Sequence, residues 1–175
     1  MAFITVGTLK SEGAPVLRRE ILANSITVVV EDSVKLGSGF VALGTAGASV
    51  FGHVVGIGTD KGVGLNTTGV AGAAIGSFVN TFLTASDNQT VGKVRAEVDI
   101  SQETLRSELT SGTLGTTTGS NLLGYYLDLT DEDTLDETSA TTGTAQYFNW
   151  GVSPTASTRI IVNINESRVF NHVTA

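Results

Sequence analysis

The chain reads as all-β: a small β-barrel or β-sandwich of mostly antiparallel strands, with one short helix at about 101–110 and an N-terminal arm. Three observations predict this class. Ile26, Thr27, Val28, Val29 and Val30 form an unbroken β-branched run, stiff at χ1 and suited to a pleated surface. Val94, Ala96, Val98 and Ile100 alternate strictly with Lys93, Arg95, Glu97 and Asp99, the period of a half-buried strand with one wet face. The 21 glycines punctuate short apolar runs at turn spacing.

The elements follow in order. Residues 1–19 are an N-terminal arm or edge strand, and residues 20–175 are a single β domain. Phe3, Ile4, Thr5 and Val6 suit a sheet edge, but Gly7, Gly13 and Pro15 keep the segment from being one long element. It is either a strand of the same domain or an arm reaching across a neighbour. Glu31, Asp32 and Ser33 end the first strand as turn formers. Residues 34–36 and 40–43 flank Gly37, Ser38 and Gly39, which suit a hairpin turn with backbone at positive φ. Residues 50–57 make a longer strand, and Gly52 and Gly56 inside it mark a bulge, a corner or a close backbone approach. Residues 62–76 are small and glycine-rich, an extended loop or small-residue strand. Residues 78–85 are strand-like, and 86–89 turn into the alternating strand at 91–100.

Residues 101–109 are the helix candidate, because Ser101 or Asp99 with Gln102 could cap it and Leu105 and Leu109 lie four apart. Residues 112–120 are Gly/Thr-rich loop, and 122–129 a strand with an aromatic pair. Residues 130–144 read as an acidic, then Ser/Thr-rich loop, long for a compact domain and therefore of functional interest. Residues 145–165 form a C-terminal hairpin turning near Pro154. The remainder is an edge strand or tail anchored by Val169 and Phe170.

The totals exclude several classes. The chain of 175 residues has no cysteine, which removes disulfides, zinc-thiolate sites and thiol catalysis. Charged residues are 15% of the chain and apolar ones 41%, a balance that suggests surface covered by copies or partners. A net charge of −7 argues against a phosphate-backbone binder, so no nucleic-acid partner is expected. No apolar run approaches the ~20 residues of a membrane span, and the N-terminus does not read as a secretory signal. The Asn-x-Ser/Thr triplets at Asn66, Asn88 and Asn165 then read as chance matches.

No catalytic constellation stands out. The two histidines, His53 and His172, lack further ligands at metal-like spacing, and His53 reads as a strand-face residue. No serine sits in a nucleophile elbow. The densest carboxylate cluster spans residues 128–137, with Asp131, Asp133 and Glu137 as the metal candidates. Leu135 and Asp136 stand where a calcium loop needs a ligand and a glycine, so a solvated acidic loop is the stronger reading. Gly56, Ile57 and Gly58 open no dinucleotide fingerprint, since the next glycine comes too late and no helix follows. The aromatics Tyr125, Tyr126, Tyr147, Phe148 and Trp150 have acidic or neutral neighbours, which favours core packing over a nucleic-acid stacking platform. The expectation is a chain that is not an enzyme and carries no cofactor.

The block SVKLGSGFVALGTAGASVFGHVVGI, with its Gly52-His53-Val54-Val55-Gly56 strand, resembles the capsid decoration (cement) proteins of tailed bacteriophages. The later blocks GSNLLGYYLDL and TLDETSATTGTAQYFNWGVSP with STRIIVNI resemble other phage virion proteins of the same texture. The resemblance implies a homo-oligomer, a trimer being favoured. It would sit on the outer capsid surface, assembled in the host cytoplasm, and bridge neighbouring subunits of the major capsid protein. Phe3, Ile4, Val6 and Leu17 in the arm and Val169 and Phe170 in the tail are the interface candidates. The alternatives are another virion part, such as a head-fibre base or tail-tube subunit, and a carbohydrate-binding β-sandwich module. The last should present exposed aromatics, with Trp150, Tyr147 or Tyr126 as candidates.

Overall fold

A computed structural model describes residues 4–8, 16–58, 80–92, 94–101, 104–109, 123–141, 145–153 and 156–165. Among these the chain is all-β and almost wholly antiparallel. Its strands are β1 (Ile4–Thr8), β2 (Leu17–Ile21), β3 (Thr27–Val29), β4 (Ser33–Gly37), β5 (Phe40–Leu43), β6 (Gly52–Gly58) and β7 (Thr81–Leu83). They continue with β8 (Arg95–Asp99), β9 (Thr104–Leu109), β10 (Tyr126–Asp131), β11 (Thr134–Thr141), β12 (Tyr147–Ser153) and β13 (Ala156–Ile164).

The first half builds a five-stranded sheet in the order β2-β8-β6-β4-β5, with β3 and β7 as a separate two-stranded ribbon. A parallel bridge between Leu22 and Val41 joins the end of β2 to β5, so the five strands curl into a nearly closed barrel. Leu22, Val28, Val34, Val41, Phe51, Val54, Ile57, Ala96 and Val98 fill it. These are the inward positions of the alternating runs, and burying a side chain of this size contributes roughly 1.5–3 kcal/mol. Asn88 seals the seam between Leu22 and Val94. Its Nδ2 donates to Leu22 O (2.8 Å) and Val94 O (3.1 Å), and its Oδ1 accepts from Val94 N (2.8 Å).

Two glycine signals resolve as distinct devices. Ser38 (φ 52°) and Gly39 (φ 84°) are the two-residue loop between Gly37 and Phe40, both left-handed, as the tight hairpin turn demands. Gly52 is a close approach: a Cβ there would lie 2.3 Å from Asp99 O and 2.7 Å from Val98 Cγ1. Gly56 sits at a register shift between β6 and β8, so it marks a bulge.

The second half builds a six-stranded sheet in the order β1-β9-β13-β12-β10-β11. Its inner face buries Leu127, Leu129, Leu135, Tyr147, Ile160, Val162 and Ile164, and Val50 joins them from the segment leading into β6. β12 and β13 are the expected C-terminal hairpin.

Three expectations are corrected. The segment proposed as a helix at 101–110 holds β9, flanked by β1 and β13. Leu105 and Leu109 share a face at either period, and a strand flanked on both sides gains ladder hydrogen bonds that so short a helix could not match. Among the described residues the helical turn is instead at Asn88–Gly92, held by Thr90 N and Val91 N donating to Asp87 O. The acidic loop expected at 130–144 is a hairpin: β10 runs to Asp131, residues 132 and 133 turn, and β11 follows. Leu135, fully buried, is the apolar residue that draws β11 onto the core. The domain boundary expected between residues 19 and 20 falls inside β2, a barrel strand. Finally, residues 1–3, Val169 and Phe170 lie outside the described residues, so the structure places only Ile4, Val6 and Leu17 of the interface candidates.

Candidate interaction surfaces

Barrel and sheet are joined by a buried polar clasp. Tyr147, at the start of β12, is fully buried, and its hydroxyl donates to Ser33 Oγ (2.8 Å) and meets His53 Nε2 at 2.9 Å. Ser33 and His53 belong to β4 and β6 of the barrel, while Asp99 of β8 is the cross-strand neighbour of His53. Gln146 adds a second tie: Nε2 donates to Thr45 O (2.8 Å) and Ala48 O (2.7 Å), and Oε1 accepts from Leu129 N (2.8 Å). Ser33 N donates to Glu132 O (2.8 Å), fastening the β10–β11 turn to the barrel. Beside it Asp32, buried, accepts from Val29 N through Oδ2 at 2.7 Å. Burial pushes the Asp32 carboxyl from 3.8 up to about 7, the Val29 N–H opposes this, and the charges of Glu132 and Asp133 add to it.

This grouping of Ser, His, Tyr and Asp could suggest a reactive site. Ser33, His53 and Tyr147 are all at 0% exposure, so the grouping is closed to solvent in the fold. His53 is a strand residue, as expected, but it faces the inter-module contact. Its contact with Tyr147 was not legible in the sequence, because the two residues are 94 positions apart.

The carboxylates proposed for a metal spread along the hairpin. Asp131 Oδ1 accepts from Asp133 N (3.2 Å), and Thr134 Oγ1 donates to Asp133 Oδ1 (3.0 Å), the bonds of a polar turn. Glu137 lies further along β11. Among the described residues no three metal-binding side chains converge. Two of the three glycosylation triplets begin at buried, bonded asparagines: Asn88 in the barrel seam, and Asn165, whose Nδ2 donates to Ala145 O (2.8 Å). Asn66 lies outside the described residues.

Two features stand out at the margins of the described structure. The first is the N-terminal edge. Among the described residues β1 pairs only with β9 and ends the six-stranded sheet, with a bulge at Val6 between Thr5 and Gly7. On the barrel, Val16 and Leu17 at the start of β2 are 55% and 50% exposed. Arg18 pairs with Glu20 and Arg19 with Glu97, so this lone basic pair is answered by carboxylates at the surface.

The second is an aromatic stripe. Tyr126, Phe148 and Trp150 occupy the outer positions of β10 and β12, alternating with buried Leu127, Tyr147 and Asn149. Tyr126 meets Phe148 edge-on (centroids 5.2 Å, 66°), and Phe148 meets Trp150 likewise (4.9 Å, 73°). Trp150 Nε1 donates to Asn163 Oδ1 at 2.7 Å. Trp150 remains 46% exposed, and Tyr125 and Leu123 beside it are exposed too. Core packing, expected for these aromatics, holds only for Tyr147. The period-two pattern could have found the split, since Tyr147 and Asn149 share one parity and Phe148 and Trp150 the other.

Comparisons with protein-family models, with curated proteins and with solved structures find no match to this chain.

Proposed function

We propose that this chain is a virion structural protein that decorates a phage capsid and stabilises it by bridging neighbouring subunits of the major capsid protein. The observation that carries the reading is the β1 edge, which among the described residues has a strand partner on one side only, accompanied on the barrel by the exposed Val16 and Leu17. An unpaired strand edge is a template for strand addition, which gains backbone hydrogen bonds with little demand on sequence. Each such contact is weak, and a lattice of identical contacts multiplies it through avidity. Barrel and sheet held by the buried clasp give a stiff body able to transmit load between two attachment points. The cement-like texture of residues 33–57 supports the same role, as does the acidic balance, which suits the outer surface of a shell around DNA. A trimer at a local symmetry axis is the favoured assembly.

The test uses particles of the source phage lacking this protein. Adding the full chain should restore a regular outer density in electron micrographs and raise the temperature at which shells release DNA. A chain lacking residues 1–8, which keeps β2 and the barrel intact, should lose most of its shell occupancy while melting as one cooperative unit. Undiminished occupancy of the shortened chain defeats the edge-docking reading. Stacked rings or tubes of the purified chain, without shell binding, would move it to the tail tube.

A further inference from the structure

We propose that the outer half of the β10–β11 hairpin is a pH-operated latch on the barrel, shut while Asp32 carries its proton and loosened once that carboxyl ionises. The hairpin is rooted in its sheet at one end, where the ladder with β12 runs over Tyr126–Phe148 and Leu127–Tyr147. Beyond Leu127, Leu129 N donates to Gln146 Oε1 (2.8 Å), and Ser33 N of the barrel donates to Glu132 O (2.8 Å). Leu129 presses on the barrel as well: a Cβ at Gly44 would lie 3.0 Å from its Cδ1. Apolar contact and hydrogen bonds across the joint thus hold the tip, a segment able to open locally while the rest of the sheet stays folded.

Asp32 stands at this joint. It precedes Ser33, the residue that fastens Glu132, and its own O accepts from Val54 N (3.0 Å). It is buried, and the Val29 N–H that its Oδ2 accepts offsets only part of what burial costs the charged form. The charges around it are mostly of its own sign. Glu132 and Asp133 act on it from the hairpin tip, and Glu31 is its neighbour in the chain. His53 of β6 and Tyr147 of β12 lie in the clasp with Ser33, and Asp99 of β8 stands across from His53. The chain's amino terminus contributes a smaller, opposing charge. The carboxyl therefore titrates at about 7 in the closed form, against an ordinary value of 3.8. The closed form holds the proton more tightly, so each pH unit between those two values raises the open population by up to about tenfold, and the rise levels off above about 7. Opening takes Glu132 and Asp133 away from Asp32 and lets water reach it.

Native-state hydrogen exchange of the full chain in dilute urea, followed by NMR from about pH 5 to about pH 8, reads the latch amide by amide. Protection factors divide out the base-catalysed intrinsic rate and give the opening equilibrium at each position. The Ser33 and Leu129 amides should open at least about tenfold more often than the β12–β13 ladder, with little dependence on urea. Their opening should also rise at least about tenfold across the pH range. Asp32→Asn should leave it flat. Glu132→Gln removes one repelling charge and keeps the backbone carbonyl, so it should make the rise shallower, and it carries the comparison should Asp32→Asn fail to fold. The proposal is overturned if the two amides open in step with the β12–β13 ladder, if their opening is the same at both ends of the pH range, or if either variant keeps the parent's full rise. None of these outcomes bears on shell attachment, which reads out the β1 edge.

Discussion

Replacing Asp32 by asparagine tests the electrostatics of the clasp. Asp32 is 2% exposed, and its carboxyl titrates at about 7 in the fold against 3.8 as the ordinary value. Between those two pH values the folded chain holds a proton that the unfolded chain has released. Stability therefore falls as pH rises through this window, and the loss is complete above about 7. The full displacement corresponds to a penalty on the order of 4 kcal/mol for the ionised form. The replacement amide would keep an oxygen for Val29 N and bring a donor toward the Glu132 and Asp133 charges. Asp32→Asn should thus match the parent within ~1 kcal/mol at about pH 4 and exceed it by roughly 2–4 kcal/mol at about pH 8. Urea unfolding across that range reads the difference directly, and taking variant minus parent cancels the titrating groups that do not interact with Asp32. A difference that stays flat with pH, or a variant less stable at the alkaline end, would refute the placement of a reluctant carboxylate between barrel and hairpin.

Two further sets of substitutions probe the packing and the clasp. Gly52→Ala drives a methyl into Asp99 O and Val98 Cγ1, which are backbone and core, and should destabilise by about 3 kcal/mol or prevent folding. Gly56→Ala meets first only the flexible end of Glu97 at 3.3 Å, so thermal melts should find it within about 1 kcal/mol of the parent, and equal effects at the two positions would contradict the geometry. Tyr147→Phe keeps the ring and removes the hydroxyl shared by Ser33 and His53, leaving each buried with one bond fewer. A loss of about 1–3 kcal/mol by urea unfolding is expected, and a neutral result would mean that the clasp is not closed to water.

What was legible in the sequence was local. The β-branched run at 26–30, the alternation at 94–100 and the Gly37-Ser38-Gly39 turn each specify backbone conformation within a few residues, and strands β3 and β8 and the β4–β5 hairpin follow. Glycines at 52 and 56 announced a bulge, a corner or a close approach without saying which, or against what. Where local signals were balanced, the surroundings decided. Residues 104–109 have a helix-compatible leucine spacing and become a strand because β1 and β13 supply ladder partners on both sides. The acidic run at 130–144 reads as solvated, yet Leu135 within it fits a core residue and turns the run into a strand.

The sequence by itself determined the all-β class, the parity of its strands and the positions of its tightest turns, because these depend on χ1 stiffness, period two and the freedom of glycine to adopt positive φ. Only the tertiary structure decided that the strands divide into a curled barrel and a six-stranded sheet, that Ser33, His53 and Tyr147 meet between them, and that Trp150 faces outward while Tyr147 faces in. Those outcomes rest on contacts between residues roughly a hundred positions apart, whose energies exist only once the intervening chain has closed.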